Sequence, residues 1–274
     1  MFIQNSYRFA SAVSSLLLDT YTGAEVAYSL RKLKTGVTNV VRVRRSSDNT
    51  EQNFTATEIT DGTLTTFTGA NDGFVTIWYD QSGNANNAAQ STATKQPKLV
   101  SSGVVELDNG KPTLNDFESG RYFDLSSSIS FDGIDTSVFY VNNDKRLFGN
   151  PSGILGVNSS VPYLLIHNGN GIFISDAFGF QGYSNTSLLG QSLNTVINFS
   201  NISSDYILNG NLQTVTQSGT WGNRSGNPYT ILGGTFSGSR AFVGDLQEII
   251  IYKTDQSTNR TGIENDINAE YTIY

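Results

Sequence analysis

The chain has 274 residues and no cysteine, which excludes a disulfide scaffold, thiol catalysis and a cysteine-ligated zinc site. Its formal net charge is −7 with only 15% charged residues, so we expect neither a nucleic-acid nor a membrane partner, because both favour a basic face. Hydrophobic residues make up only 37% of the chain, and its 27 glycines accompany many Ser, Thr and Asn residues. This balance predicts many short strands joined by turns.

The first twenty residues mix apolar and polar side chains, and we predict that residues 1–20 form an N-terminal arm or edge segment. The start of the chain lacks the pattern of a secretion signal, and no window is apolar enough to span a membrane. No linker or composition break divides the remainder. We therefore predict a single domain over residues 21–274.

Two elements are predicted before residue 50. A capping-box pattern over residues 22–25, with apolar residues following at helical spacing, predicts a short helix over 24–34. Apolar and basic residues alternate from Val37 to Arg45, which predicts a strand. Its arginines form the one local basic patch, which we interpret as a solvated strand face paired with acidic residues rather than as a binding surface. Residues 46–73 are polar and are predicted to form a long excursion, that is, a connecting segment between two strands.

A strand ending in a polar corner follows. Residues 74–79 are β-branched and aromatic, which is typical of a buried strand, and they run into a cluster suited to turning and to side-chain-to-backbone hydrogen bonds. We interpret this corner as architectural, because polar corner residues mostly satisfy backbone groups. The corner comprises Tyr79, Asp80, Gln81, Ser82, Gly83 and Asn84.

The C-terminal half contains further strand signals. Asn209-Gly210 between alternating apolar residues predicts a hairpin with a type I′ turn. Residues 241–252 give the longest strand signal, and a second capping-box pattern at 261–264 predicts a closing helix. Shorter strands are predicted at 96–100, 110–114, 122–123, 137–141, 163–167, 171–175 and 194–199.

These motifs resemble two groups of proteins. The stretch FVTIWYDQSGNANNAAQ (74–90) resembles the arabinofuranosidase B catalytic domain, a concanavalin A-like β-sandwich. The N-terminal pattern is similar to phage virion and tail-fibre-like proteins with a concanavalin A-like (LamG-like) domain. The resemblance implies an all-β fold, a concanavalin A-like (jelly-roll) sandwich of two antiparallel sheets with one or two short peripheral helices. The segments that carry the phage resemblance are AYSLRKL (27–33), VRVRRSSDNTEQ (41–52), QPKLV (96–100) and GKP (110–112).

The arabinofuranosidase resemblance implies a Glu nucleophile in mid-domain and an Asp acid directly after a Gly-Gly pair. The chain has no Glu between Glu118 and Glu248, and the matching Gly233-Gly234 pair is followed by Thr235. A threonine cannot protonate a leaving sugar with useful driving force. Both catalytic positions therefore read as vacant, and we predict a protein that is not an enzyme.

Other chemistry is weakly indicated. His167 is the only histidine, which excludes a multi-histidine metal site and favours a structural role. We predict no metal or cofactor: calcium could use oxygen ligands such as Asp72, Asp80, Asp132 and Asp135, but their spacing matches no loop template. A glycan would prefer an aromatic platform beside amides, and the best candidates are Trp221, Asn223, Arg224 and Tyr229. The alternative is that Trp221 packs beneath its loop.

The sequence thus predicts a non-enzymatic bacteriophage virion protein, a structural or decoration module of the capsid or tail, with glycan binding as a further role. Its expected partners are other virion proteins, through homo-oligomerisation or through attachment by the N-terminal arm. The alternatives are a secreted arabinofuranosidase-like glycoside hydrolase and a stand-alone lectin domain.

Overall fold

The computed structural model describes residues 15–115, 117, 120–129, 135–145, 152–156, 163–168, 171–176, 179–184, 190–197, 205–218, 229–233 and 242–274. For residues 152, 163–184, 215–218 and 229–231 the description covers the backbone alone. Within these residues no helix combines the length and the apolar character needed to cross a membrane.

The described chain forms four α-helices, one short 3-10 helix and 21 strands. The helices are α1 Leu17–Thr20, α2 Ala56–Thr60, α3 Thr63–Thr68 and α4 Arg260–Tyr271, with the 3-10 turn at Ala93–Lys95. The strands of the first half are β1 Ala24–Ser29, β2 Val41–Arg45, β3 Glu51–Phe54, β4 Gly73–Trp78, β5 Ala88–Ala89, β6 Lys98–Ser101, β7 Val104–Val105, β8 Leu107–Asp108, β9 Lys111–Pro112 and β10 Phe123–Ile129. Those of the second half are β11 Ser137–Asp144, β12 Ser152–Gly156, β13 Tyr163–Asn168, β14 Gly171–Asp176, β15 Gly179–Ser184, β16 Gly190–Ile197, β17 Asp205–Leu208, β18 Asn211–Leu212, β19 Val215–Ser218, β20 Tyr229–Leu232 and β21 Gly244–Tyr252.

These strands form two large antiparallel sheets. The six-stranded sheet has the order β1-β21-β11-β16-β17-β18. The 13-stranded sheet runs β19-β15-β14-β13-β12-β20-β10-β5-β4-β2-β3, with β6 and β7 attached at β4. A separate hairpin pairs β8 with β9. The predicted all-β, jelly-roll-type sandwich is confirmed.

The six-stranded sheet is buried on both faces. Along β11, Val138 and Tyr140 point into the inner core between the sheets, whereas Phe139 and Val141 point into an outer core. The outer core contains apolar residues of α1 and α4, so these helices cover the outer face. Every residue of β21 is buried, which explains its long apolar run, since both of its faces are packed.

The predicted helix at 24–34 is wrong. Residues 24–29 form β1, which pairs antiparallel with β21, for example Ala27 with Ile250. Val26 and Tyr28 lie in the inner core and Ala27 in the outer core, so the side chains follow the two-residue period of a strand. Pairing with β21 outweighs the local capping pattern, because a helix here would make the fully buried β21 an edge strand with unpaired backbone groups.

The polar excursion at 46–73 contains structure that the sequence analysis did not predict. Thr55 and Glu58 form the two reciprocal hydrogen bonds of a capping box at the start of α2. Ile59 and Leu64 then anchor α2 and α3 in the inner core. The Thr-x-x-Glu pattern was therefore the available signal, at a place where too few apolar residues follow to show a helical period.

Three later predictions are confirmed. The hairpin connects β17 to β18, and Asn209 and Gly210 have φ of 49° and 74°, the positive values that a type I′ turn needs. Strand β21 is the longest strand described. The closing helix is α4, with Ile263, Ile267 and Tyr271 buried in the outer core.

A buried ionic network fixes α4 to the outer face of the sheet. Glu248 on β21 is fully buried and accepts hydrogen bonds from the Ser29 hydroxyl at 2.7 Å, from Arg31 at 2.8 and 3.0 Å, and from the Tyr271 hydroxyl at 3.2 Å. Arg31 also donates to Asp266 of α4 at 2.7 Å. Both oxygens of a buried carboxylate are therefore paired, which buried charge requires.

We expect Glu248→Gln to lower the free energy of unfolding by about 3 kcal/mol, because it breaks a buried ion pair from one side. The matched control is Asp266→Asn, which removes the other acidic partner of Arg31 at a side chain that is 29% exposed. We expect that variant to cost about 1 kcal/mol or less. Urea denaturation measures both, and equal losses would contradict the role assigned to Glu248.

Candidate functional site

The corner after β4 is filled by hydrogen bonds to the backbone. One carboxylate oxygen of Asp80 accepts from the N–H groups of Ala27 and Ser82, both at 2.9 Å. The other accepts from the Ser82 hydroxyl at 2.7 Å and from the Asn86 N–H at 3.0 Å. Asn84 donates its side-chain amide to the carbonyl of Glu25 at 2.9 Å. These bonds join the corner to the start of β1.

Gln81 makes the connection to the segment after β1. Its side chain is almost fully buried, and its oxygen accepts from the Leu33 N–H at 2.8 Å. Its amide donates to the carbonyls of Ser29 at 3.0 Å and Arg31 at 2.9 Å. One side chain thus satisfies three backbone groups that the turn after β1 leaves without strand partners.

We expect Gln81→Leu to destabilise the fold by about 3 kcal/mol, because three buried backbone groups lose their partner. The control is Tyr79→Phe, which removes one exposed hydrogen bond from the Tyr79 hydroxyl to Asn53 and should cost well under about 1 kcal/mol. Thermal unfolding followed by circular dichroism compares the two variants. If Gln81→Leu unfolds at the wild-type temperature, these hydrogen bonds do not hold the corner.

The predicted glycan site cannot be located. Trp221, Asn223 and Arg224 lie outside the described residues, and Tyr229 begins β20 with its side chain outside the description. The residue after the Gly-Gly pair, Thr235, is also outside the described residues, as are residues 1–14 of the predicted arm. Binding of glycans and attachment to a virion through this arm remain predictions.

The other candidate residues lie in ordinary structural settings. In the basic patch, Arg42 pairs with Glu51 at 2.6 Å and Arg45 pairs with Asp48. Arg44 is instead buried, with its guanidinium 5.0 Å from the centre of the Phe74 ring. His167 belongs to β13. Among the described residues no three His, Asp or Glu side chains are grouped so as to hold a metal ion.

The unusual chemistry lies between the two sheets. Strands β11, β16 and β17 place six polar side chains on the inner face of the six-stranded sheet, where apolar residues would normally pack. We call them the inner polar cluster. Its members are Tyr140, Asn142, Asp144, Ser192, Asn194 and Tyr206, and all are buried.

Three members of the cluster form a directed chain of hydrogen bonds across neighbouring strands. The Tyr206 hydroxyl donates to the side-chain oxygen of Asn194 at 2.7 Å. The Asn194 amide donates at 2.8 Å to the side-chain oxygen of Asn142, which also receives a longer bond from the Ser192 hydroxyl at 3.2 Å. The strand register explains the geometry, since Asn142 lies opposite Ser192 and Tyr206 lies opposite Val196, two residues from Asn194.

The electrostatics of the cluster centre on one acidic side chain. Asp144 continues the inward alternation of β11 and is only 3% exposed. Burial, together with the negative charge of Asp144, raises the pKa of the Tyr140 hydroxyl well above its usual value. Burial and the neighbouring Tyr140 do the same to the pKa of Tyr206. Both phenols therefore stay protonated and act as neutral hydrogen-bonding groups beside a buried carboxyl.

Asp245, a buried acidic residue on the neighbouring strand β21, lies in a different environment. Asp245 lies opposite Asn143, which puts it on the outer face. Burial raises the pKa of Asp245, and the ammonium of Lys145, at 2.7 Å, opposes that rise. Asp245 is therefore charge-paired at the surface of the sheet, whereas Asp144 faces the space between the sheets.

Sequence reasoning missed the cluster. The prediction ended the strand at Val141, but Asn142 and Asp144 continue the two-residue period that begins at Val138. Polar residues at inward positions were the available signal. They predicted the end of the strand, because the sequence of β11 does not show that the opposite sheet buries these positions.

Solved arabinofuranosidase structures resemble this chain in fold. The chain is similar to an arabinofuranosidase complexed with arabinofuranosyl-α-1,2-xylobiose, with a TM-score of 0.60 and 13% identity over 92% of this chain and 64% of that chain. It is also similar to a mutant α-L-arabinofuranosidase soaked with 4-nitrophenyl α-L-arabinofuranoside, with a TM-score of 0.59, 15% identity and the same coverage. The chain thus spans 64% of the length of these enzymes, and the likeness is one of fold. Neither a family model nor a curated protein matches the sequence.

These comparisons contradict the prediction that the protein is not an enzyme, because the solved neighbours are glycoside hydrolases. They support the arabinofuranosidase part of the resemblance at the level of fold, and they lend no support to the phage part. The vacancy argument compared two catalytic positions through short motifs. At identities of 13% and 15%, a short motif does not fix which residue of this chain occupies a given position of the fold.

Proposed function

We propose that the protein is a glycoside hydrolase of the arabinofuranosidase type and that the inner polar cluster is part of its active site. The observation that carries this proposal is the buried carboxyl of Asp144, which shares the inner face of β11 with Tyr140 and whose negative charge helps to raise the pKa of that tyrosine. Tyrosines with shifted pKa values and buried carboxyl groups are concentrated at active sites. Elsewhere in a protein, burying such groups lowers stability. The fold of the solved arabinofuranosidases supports the substrate class.

Cleavage of a glycosidic bond ordinarily needs two carboxylates, and aspartate serves as well as glutamate. Between Glu118 and Glu248, the segment that contributes the strands of the cluster, every acidic residue is an aspartate. Asp124 and Asp205 are exposed, and Asp245 is paired with Lys145 on the outer face. Asp144 is the one acidic member of the cluster, which makes it the best candidate for one of the two roles.

The remaining aspartates of that segment are the candidates for the second carboxylate. They are Asp132 and Asp176, the second of which ends strand β14 of the opposite sheet, whereas Asp135 is exposed like Asp124 and Asp205. The distance between the two carboxyl groups sets the outcome: about 5 Å accompanies retention of configuration, and about 6.5–9.5 Å accompanies inversion. Replacing each of these two by Asn in turn identifies the partner of Asp144.

We expect the wild-type protein to release 4-nitrophenol from 4-nitrophenyl α-L-arabinofuranoside and Asp144→Asn to lower kcat by about 100-fold or more, the range that a positioned acid or base contributes. Asp245→Asn is the matched control: it removes another buried aspartate, but from the outer face, and should change kcat less than about threefold. Circular dichroism and urea denaturation establish that each variant is folded.

Two results would overturn the proposal. One is a folded wild-type protein that releases no nitrophenol from aryl furanosides or pyranosides of neutral sugars. The other is turnover that survives Asp144→Asn but is lost in Asp245→Asn, which would place the chemistry on the outer face of the sheet.

A further inference from the structure

We propose that Asn109 is a site of spontaneous deamidation, and that the reaction turns an attractive contact between the β8–β9 hairpin and the end of helix α4 into a repulsive one. This inference is independent of the proposed function. It depends on the turn that joins β8 to β9, on the space around that turn and on the two carbonyl groups that the Asn109 amide contacts.

The reactive pair is Asn109-Gly110, the turn of the hairpin. Both residues have positive φ, 48° and 75°, and both are exposed to solvent. A side chain built on Gly110 would meet no atom within 4 Å, so the turn has room to change its backbone conformation. The backbone nitrogen of Gly110 can therefore approach the side-chain carbon Cγ of Asn109, which is the geometry that the reaction needs.

The chemistry needs only water. The backbone nitrogen of Gly110 loses its proton to hydroxide and attacks Cγ of Asn109, which forms the new N–C bond of a cyclic succinimide. The bond from Cγ to Nδ2 breaks, and Nδ2 leaves as ammonia after taking a proton from water, which regenerates the hydroxide. Water then opens the ring at either carbonyl and gives aspartate or isoaspartate with a new carboxylate. No electron is gained or lost.

The new carboxylate faces groups that repel it. The Asn109 amide donates hydrogen bonds to two carbonyls at the C-terminal end of α4, that of Tyr271 at 2.9 Å and that of Thr272 at 3.2 Å. The last turn of a helix leaves such carbonyls without a partner inside the helix. A carboxylate has no hydrogen to donate to them, and it would lie at the negative end of the helix dipole. Deamidation therefore weakens the attachment of the hairpin to α4.

A second Asn-Gly turn, Asn209-Gly210, provides an internal control. The side-chain oxygen of Asn209 accepts from the Leu193 N–H of β16 at 2.9 Å, and a side chain on Gly210 would lie 3.1 Å from the ring of Tyr274. This turn is held against the sheet and has little room to rearrange. Aspartate at position 209 would keep the oxygen that the Leu193 N–H needs, so deamidation there would also leave the contact intact.

The first test is to age the folded wild-type protein at alkaline pH and to measure amide loss by peptide mapping with mass spectrometry, which assigns each modified residue. We expect Asn109 to lose its amide at least about tenfold faster than Asn209, because its turn opens more easily. In urea the two turns should react at similar rates, because the fold causes the difference. Amide loss at Asn209 that keeps pace with Asn109 in the folded protein would overturn the proposal. So would an Asn109 amide that survives in the folded protein while the unfolded chain loses it.

The second test measures the effect on the contact. Asn109→Asp reproduces one product of the reaction, and Asn209→Asp is the matched control with the same change of charge. We expect Asn109→Asp to lower Tm by about 2–4 °C and to speed hydrogen exchange in the hairpin, whereas Asn209→Asp should leave both near the wild type. The aged wild-type protein, separated from the unaged form by anion exchange, should show the same changes as Asn109→Asp.

The repulsive contact is wrong if Asn109→Asp keeps the Tm and the hairpin exchange of the wild type. If Asn109→Asp does not fold, the aged wild-type protein gives the same comparison, because its amide is lost after folding. Unchanged exchange of the hairpin in that material then overturns the proposal.

Discussion

The structure depends on a six-stranded sheet that is buried on both of its faces. A strand in the middle of such a sheet has no solvent side, so every polar side chain on it must find a partner within the protein. Strand β21 illustrates the consequence, since all of its residues are buried and its single glutamate is held by Ser29, Arg31 and Tyr271. Helix α4 and the loop after β1 meet that need, because they carry Tyr271 and Arg31, which donate hydrogen bonds to Glu248.

The same constraint applies to the other buried polar groups of the fold. At the corner after β4, the buried side chain of Gln81 meets three backbone groups. On the inner face Asn142 keeps an unpaired donor beside the acidic Asp144. A sandwich that needed only stability would place apolar residues at these positions, because a polar network that is not fully paired is worse than an apolar core. The inner polar cluster therefore lowers the stability of the sandwich relative to an apolar core.

The correction about enzymatic activity comes from the difference between a motif and a site. The resemblance carried over a Glu and an Asp by their place in short motifs, and Thr235 and the missing Glu made both places look empty. A glycosidase site is defined by carboxyl groups on the two sides of a bond in space. Asp144 lies on the inner face at the end of β11, a placement that no local pattern around Gly233-Gly234 could show.

Local chemistry let the sequence determine several parts of this protein by itself. The all-β class followed from composition, the hairpin from Asn209-Gly210, strand β21 from its long apolar run, and helix α4 from apolar residues at helical spacing. Only the tertiary structure decided that residues 24–29 form a strand, because pairing with β21 outweighs a local capping pattern. It also decided which face of β11 is the inner one, since the opposite sheet and the covering helices, and not the residues of β11, determine where Asn142 and Asp144 point.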